Sequence, residues 1–124
     1  MADSNKKILL VEDSKSYLFI LTETLRNAGF TVVTAEDGEE GVSVAKSDKP
    51  DLILSDITMP KMDGIAMSKK IKEFDTEVPI IFLTNLSDMK HINEALESST
   101  DYIVKSDASV EDIVVRVKEK LNLK

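Results

Sequence analysis

Cysteine is absent from the 124-residue chain, so disulfide scaffolds, thiolate metal sites and cysteine nucleophiles are all excluded. The same absence fits a reducing compartment. Long hydrophobic runs are missing too. The segment Met1–Lys7 is polar and the first apolar run covers only Ile8 to Val11, whereas a membrane span needs about 20 apolar residues and a signal peptide a longer apolar region than this. A cytoplasmic protein without membrane contacts is expected. Basic charge is in deficit: 16 Lys and Arg face 23 Asp and Glu, for a net charge of −7. Nucleic-acid affinity comes mainly from cations neutralising phosphates, so direct binding of DNA or RNA is not expected. The one basic cluster, Lys69, Lys70 and Lys72, reads as a solvated helix face. Repeats, low-complexity tracts and linkers are lacking, and the length is too small for two independent cores. A single domain over residues 1–124, with no output domain, is the expected organisation.

What is present is a pattern that switches between short apolar runs and helical periodicity. The runs are Ile8–Val11, Val32–Val33, Leu52–Leu54, Ile80–Leu83 and Tyr102–Val104. They are continuous, as in strands covered on both faces of a parallel sheet. Between them lie helical stripes: Leu18, Leu21, Leu25 and Ala28, stopped by Gly29; residues 37–47 through Val42 and Ala45; Met67, Ile71 and Phe74; Met89, Ile92 and Leu96; and Val110, Ile113, Val114, Val117 and Leu121, with Ser109 as N-cap. Five strands alternating with five helices, joined by right-handed crossovers, give an α/β domain with helices on both faces of an open parallel sheet. The length excludes an eight-fold barrel.

In such sheets the ligand site lies beyond the carboxyl ends of the strands. Glu12 and Asp13 follow strand 1, strand 3 ends on Asp56, strand 4 on Thr84 and strand 5 on Lys105. Each has a plain structural alternative: Asp13 can cap the first helix, Thr84 can be an ordinary strand-end residue and Lys105 a snorkelling surface lysine. Together they argue for chemistry. Three gathered carboxylates repel one another, which raises their pKa values unless a cation is shared. Hard oxygen donors completed by water suit the octahedral demand of Mg²⁺. Lys105 and Thr84 would then face an anionic group beside the metal, the set of parts that phosphoryl transfer requires. The loop from Ile57 to Gly64 contains Pro60 and the turn pair Asp63-Gly64, so it reads as a rigid connector that keeps the Thr58 carbonyl near Asp56.

Glu12-Asp13, the run from Asp56 through Met59-Pro60 to Asp63-Gly64, Thr84, and Tyr102-Ile103-Val104-Lys105 together resemble the receiver domain of bacterial two-component response regulators, over a stretch from Lys7 to about Leu121. The resemblance implies a sheet order of 2-1-3-4-5. It implies that Asp56 is the phosphoacceptor, charged from a sensor histidine kinase or a histidine phosphotransfer protein. Asp13, Asp56 and the Thr58 backbone carbonyl would bind Mg²⁺ directly, and Glu12 through a water. Lys105 and Thr84 would contact phosphoryl oxygens, and Tyr102 would turn inward as Thr84 moves. The surface of the fourth helix, fifth strand and fifth helix would then control a partner protein or pair with a second copy. Such a protein is not a turnover enzyme; it assists its own phosphorylation and dephosphorylation.

Several positions depart from the family pattern. Ser106 stands where receivers commonly carry a proline after a cis bond, so either a strained cis bond or a re-aimed Lys105 loop is expected. Glu97–Asp101 lacks the usual glycine, which makes an irregular end to the fourth helix. Asn85 replaces a small alanine, altering access to the pocket. Thr58 and Leu86 occupy positions that tune phosphoryl lifetime. Lys15, Tyr17 and Phe19 are candidate kinase-docking residues of helix 1, unless one belongs to the core, and His91 reads as a surface residue.

Two other classes compete. A Mg²⁺-dependent aspartyl phosphohydrolase of the haloacid-dehalogenase type needs a second acid two residues after the nucleophile, where Thr58 stands, and a nucleophile after strand 1. A flavin-binding module needs a phosphate-cradling loop after strand 1, which is absent. A receiver piece of a longer regulator or hybrid kinase is the remaining alternative; the Met1 start and the full last helix favour a stand-alone protein.

Overall fold

The apolar runs become five strands, β1 (Lys7–Val11), β2 (Thr31–Ala35), β3 (Leu52–Asp56), β4 (Ile80–Thr84) and β5 (Asp101–Val104), in a computed structural model that describes residues 6–85 and 101–122. All neighbours are parallel and the order is β2-β1-β3-β4-β5, as the family resemblance implies. Every residue of β3 and β4 is buried, which is why their sequences are continuously apolar over Leu52–Leu54 and Ile80–Leu83.

Alternate residues of β1 feed two cores. Ile8 and Leu10 face Leu21 and Leu25 of α1 (Lys15–Asn27) and Ile113, Val114 and Val117 of α4 (Val110–Lys120). Leu9 and Val11 face Ala45 of α2 (Gly38–Asp48) and Met67 and Ile71 of α3 (Gly64–Lys72). The helices thus cover both faces of the sheet. Each buried Leu or Ile contributes about 1.5–3 kcal/mol relative to exposure, so two such layers hold the sheet rigid.

Helix ends follow local chemistry. Asp37 and Asp63 cap α2 and α3 by accepting the N–H of Glu40 and Ala66, each at 2.8 Å. Ser109 and Asp112 form a reciprocal capping box on α4. Gly29 ends α1 at φ 102°, a conformation that favours glycine. Asp13 does not cap α1; Ser14 occupies that position, and its N–H is bonded instead to Glu12 Oε2 at 2.9 Å.

Phe74 departs from the expected apolar stripe. α3 ends at Lys72, so Phe74 lies past the helix, 40% exposed, with the Lys46 ammonium 5.4 Å from its ring centroid. Lys72 turns back on its own chain to donate to the carbonyls of Thr76 and Val78, so this member of the basic cluster is a local clasp. The expected fourth helix, with Met89, Ile92 and Leu96, lies outside the described residues. So do Leu86, His91 and Glu97–Thr100. Among the described residues no helix is long and apolar enough to cross a membrane.

Candidate functional site

Parallel strands bring the residues expected at their carboxyl ends to one edge of the sheet. Glu12, Asp13, Ser14, Asp56, Thr58, Leu83, Thr84, Asn85 and Lys105 line a cavity of about 260 Å³ there. Register explains the juxtaposition. Val11 is opposite Ser55 and Asp56 is opposite Leu83, so Glu12, Asp56 and Thr84 emerge at nearly the same height.

Asp56 and Glu12 are buried, and Asp13 is exposed. One oxygen from each of the three carboxylates lies within 4.8 Å of the others. That all-oxygen donor set is the one a hard divalent cation such as Mg²⁺ takes, and among the described residues the Asp13 carboxylate makes no hydrogen bond or ion pair. The Lys105 ammonium donates to Glu12 Oε1 at 2.9 Å and lies 2.7 Å from Asp56 Oδ1. Burial, a hydrogen bond with Glu12 and repulsion from it push the Asp56 carboxyl up to about 8, against the pull of Lys105. Glu12 moves the other way. Burial raises it, but hydrogen bonds from Asp56, the Ser14 N–H and Lys105 outweigh burial and hold it below the usual carboxylate value. The site thus pushes the two acids in opposite directions, Asp56 up and Glu12 down. Lys105 is raised, because its two acidic partners overcome the desolvation that would lower it.

The loop after β3 is fixed as expected of a rigid connector. Gly64 N–H donates to Ile57 O and Met62 N–H to Pro60 O, each at 2.7 Å. A side chain on Gly64 would place its Cβ 2.2 Å from the Asp56 carbonyl oxygen, so glycine is required for α3 to start this close to the strand end. The Ser55 hydroxyl donates to that same carbonyl at 2.8 Å. Thr84 is buried and its hydroxyl donates to Asn85 O at 3.2 Å, within its own loop.

Two of the stated alternatives are decided. There is no cis peptide bond among the described residues, so Ser106 does not impose one. Instead β5 ends at Val104, and Lys105 opens a single 3-10 turn with Ser106 and Asp107 from which its side chain still reaches both acids. Tyr17 is half-buried against the core shared by α1 and α4, with its ring centroid 4.5 Å from the Lys105 ammonium. Of the helix-1 residues singled out for docking, Phe19 is the open aromatic, 67% exposed. Tyr102 is 39% exposed, on the outside of β5.

Sequence reasoning missed the Tyr17–Lys105 contact, the Ser55 hydroxyl and the close approach of Gly64. A signal for the first existed: Tyr17 falls in the first turn of α1, which must rise directly from the edge that carries Glu12.

The model of the response regulator receiver domain matches residues 8–118 of this chain. The chain is 37% identical over 114 residues to the alkaline phosphatase synthesis transcriptional regulatory protein PhoP of Bacillus subtilis (strain 168), covering 92% of this chain and 48% of that protein. It is 40% identical over 104 residues to the probable transcriptional regulator ycf27 of Guillardia theta, covering 83% of this chain and 41% of that one. It spans about half the length of these curated relatives. Among solved structures, the receiver domain of the Francisella response regulator 1452 superposes with a TM-score of 0.81 at 28% identity, covering 93% of this chain and 95% of that one.

Proposed function

The chain belongs to the response regulator receiver family, and from that premise we propose that Asp56 accepts a phosphoryl group from a phosphohistidine of a sensor histidine kinase or a histidine phosphotransfer protein. The observation that carries this reading is the position of Asp56: buried at the end of a central strand, bound to Lys105, with two further carboxylates beside it.

Asp56 must lose its proton before it can react. One Asp56 oxygen then attacks phosphorus as the P–N bond breaks, and the departing imidazole nitrogen keeps the bonding pair and takes up a proton. Asp13, Asp56 and the Thr58 backbone carbonyl, with Glu12 through a water, would hold Mg²⁺, which when bound would neutralise charge on the phosphoryl oxygens. Lys105 exchanges a carboxylate partner for a phosphoryl oxygen. The Thr84 hydroxyl leaves Asn85 O for another, and Tyr102 turns inward into the space vacated. A covalent charge thus stabilises the minor member of a two-state pair. The altered surface, on the segment before β5, β5 itself and α4, controls a partner protein or pairs with a second copy. The protein serves as substrate and cofactor-assisted acceptor, with no turnover of its own.

Acetyl phosphate with Mg²⁺ tests this. The wild type gains the mass of one phosphoryl group, and Asp56→Asn does not. A wild type that stays unmodified, or equal modification of the variant, defeats the reading.

A further inference from the structure

Lys105 is held from three sides, and only two of them are acidic. Asp56 and Glu12 take the ammonium at 2.7 and 2.9 Å, and the third side is the ring of Tyr17, its centroid 4.5 Å from Nζ. That distance is well within the range at which a cation is attracted to an aromatic face. The ring is anchored from behind by the core cluster shared by α1 and α4. Lys105 itself has little backbone support, since the last strand residue is Val104 and a single turn follows. Its position is set by what its side chain touches.

We propose that Tyr17 is a positioning residue for Lys105, its ring face keeping the ammonium over Asp56 while an incoming anion replaces the carboxylate contacts. The inference rests on Asp56 being the phosphoacceptor. A phosphoryl group at Asp56 brings new negative charge to the site, and Lys105 must give up a carboxylate to meet it. A third acid at position 17 would compete with the phosphoryl oxygens for the ammonium. An aliphatic side chain would fill the same space without holding a cation. The neutral π face does neither: it attracts the ammonium and leaves its hydrogens free to turn from one oxygen to another.

The test separates ring electronics from packing. Tyr17 is replaced by Phe and then by phenylalanines of increasing fluorination, which change size little but drain the ring face of negative charge. The readouts are the initial rate of Asp56 modification by acetyl phosphate at saturating Mg²⁺ and, without phosphodonor, the ring-current shift of the Lys105 ε-methylene protons. Tyr17→Phe stays within about twofold, and the rate falls progressively, reaching roughly three- to tenfold for the fully fluorinated ring. The Lys105 proton shift is lost in Tyr17→Leu. A rate that does not change along the fluorinated series overturns the inference while leaving the phosphoacceptor reading intact. A wild type that takes up no phosphoryl group sinks both.

Discussion

Lys105 bridges Asp56 Oδ1 and Glu12 Oε1, so one ammonium is shared between two buried carboxyl groups. Two acids and one base cannot all be satisfied in ionised form. Burial and the neighbouring Glu12 push the Asp56 carboxyl up to about 8, while its hydrogen bonds hold Glu12 below the usual carboxylate value. The residue proposed as nucleophile therefore sits where its ionised form is disfavoured, and a cation joining the site would relieve that.

Stability should record this strain. Asp56 titrates near 3.8 when unfolded and near 8 when folded, so between these values the folded state binds more protons. Its contribution to stability is fully present below about pH 4 and declines as pH rises towards 8. Asp56→Asn, which cannot ionise, is expected to be more stable than wild type by about 1–3 kcal/mol at pH 8. The advantage shrinks on moving to pH 5. Urea unfolding of both proteins at several pH values measures it, and an advantage that grows on acidification contradicts the assignment.

Asp13 separates metal binding from folding. Its carboxylate is exposed and makes no hydrogen bond or ion pair among the described residues, yet it lies with Glu12 and Asp56 in the triad. Asp13→Ala should lower Mg²⁺ affinity by at least roughly tenfold and change stability by less than about 0.5 kcal/mol. Calorimetric Mg²⁺ titration beside thermal melts tests both. Unchanged affinity would remove Asp13 from the metal set.

Lys105→Met keeps the length of the side chain and removes the charge. Phosphorylation by acetyl phosphate should fall roughly a hundredfold, the scale for loss of one preorganised electrostatic partner. The folded state should also be weakened most at alkaline pH, where both acids ionise without a counter-charge. Rates and melts at pH 6 and pH 9 give the comparison.

The glycines of the α2–α3 side differ in what stands in the way. At Gly64 a methyl group meets the Asp56 backbone carbonyl at 2.2 Å, whereas at Gly41 the nearest obstacle is the Met67 sulfur at 2.6 Å. A thioether can rotate aside and a strand backbone cannot. Gly64→Ala should cost about 2–4 kcal/mol and slow Asp56 modification, while Gly41→Ala costs about 1 kcal/mol with modification retained. Equal losses at the two positions would deny the backbone argument.

Much of this was legible in the chain itself, for identifiable reasons. Leu52–Leu54 and Ile80–Leu83 are continuous apolar runs because their strands are covered on both faces, and polar residues immediately after such runs must fall on one edge. Glu12, Asp56, Thr84 and Lys105 are legible as strand-end residues in this way, although β5 itself stops at Val104, one residue short of Lys105. Ser109 was readable as a cap because capping is local. What stayed hidden depends on contacts between distant residues. Nothing local says that Phe74 falls outside α3, or that Tyr17, in the first turn of α1, meets Lys105 from the far end of the chain. The opposite shifts of Glu12 and Asp56 depend on their common burial, which spacing does not encode.

β5 lies at the rim of the sheet, with a hydrogen-bonded neighbour on one side only. At about 4.8 Å between strands, the reach from β5 over β4 to Asp56 on β3 is about 10 Å, and the Lys105 and Asp56 side chains span it together through their 2.7 Å contact. The ion pair is thus a cross-tie that lashes the outermost strand to the interior, skipping the strand between. Whatever alters the charge at Asp56 alters the tension of that lashing, so the firmness of the rim and the chemistry of the centre are one variable.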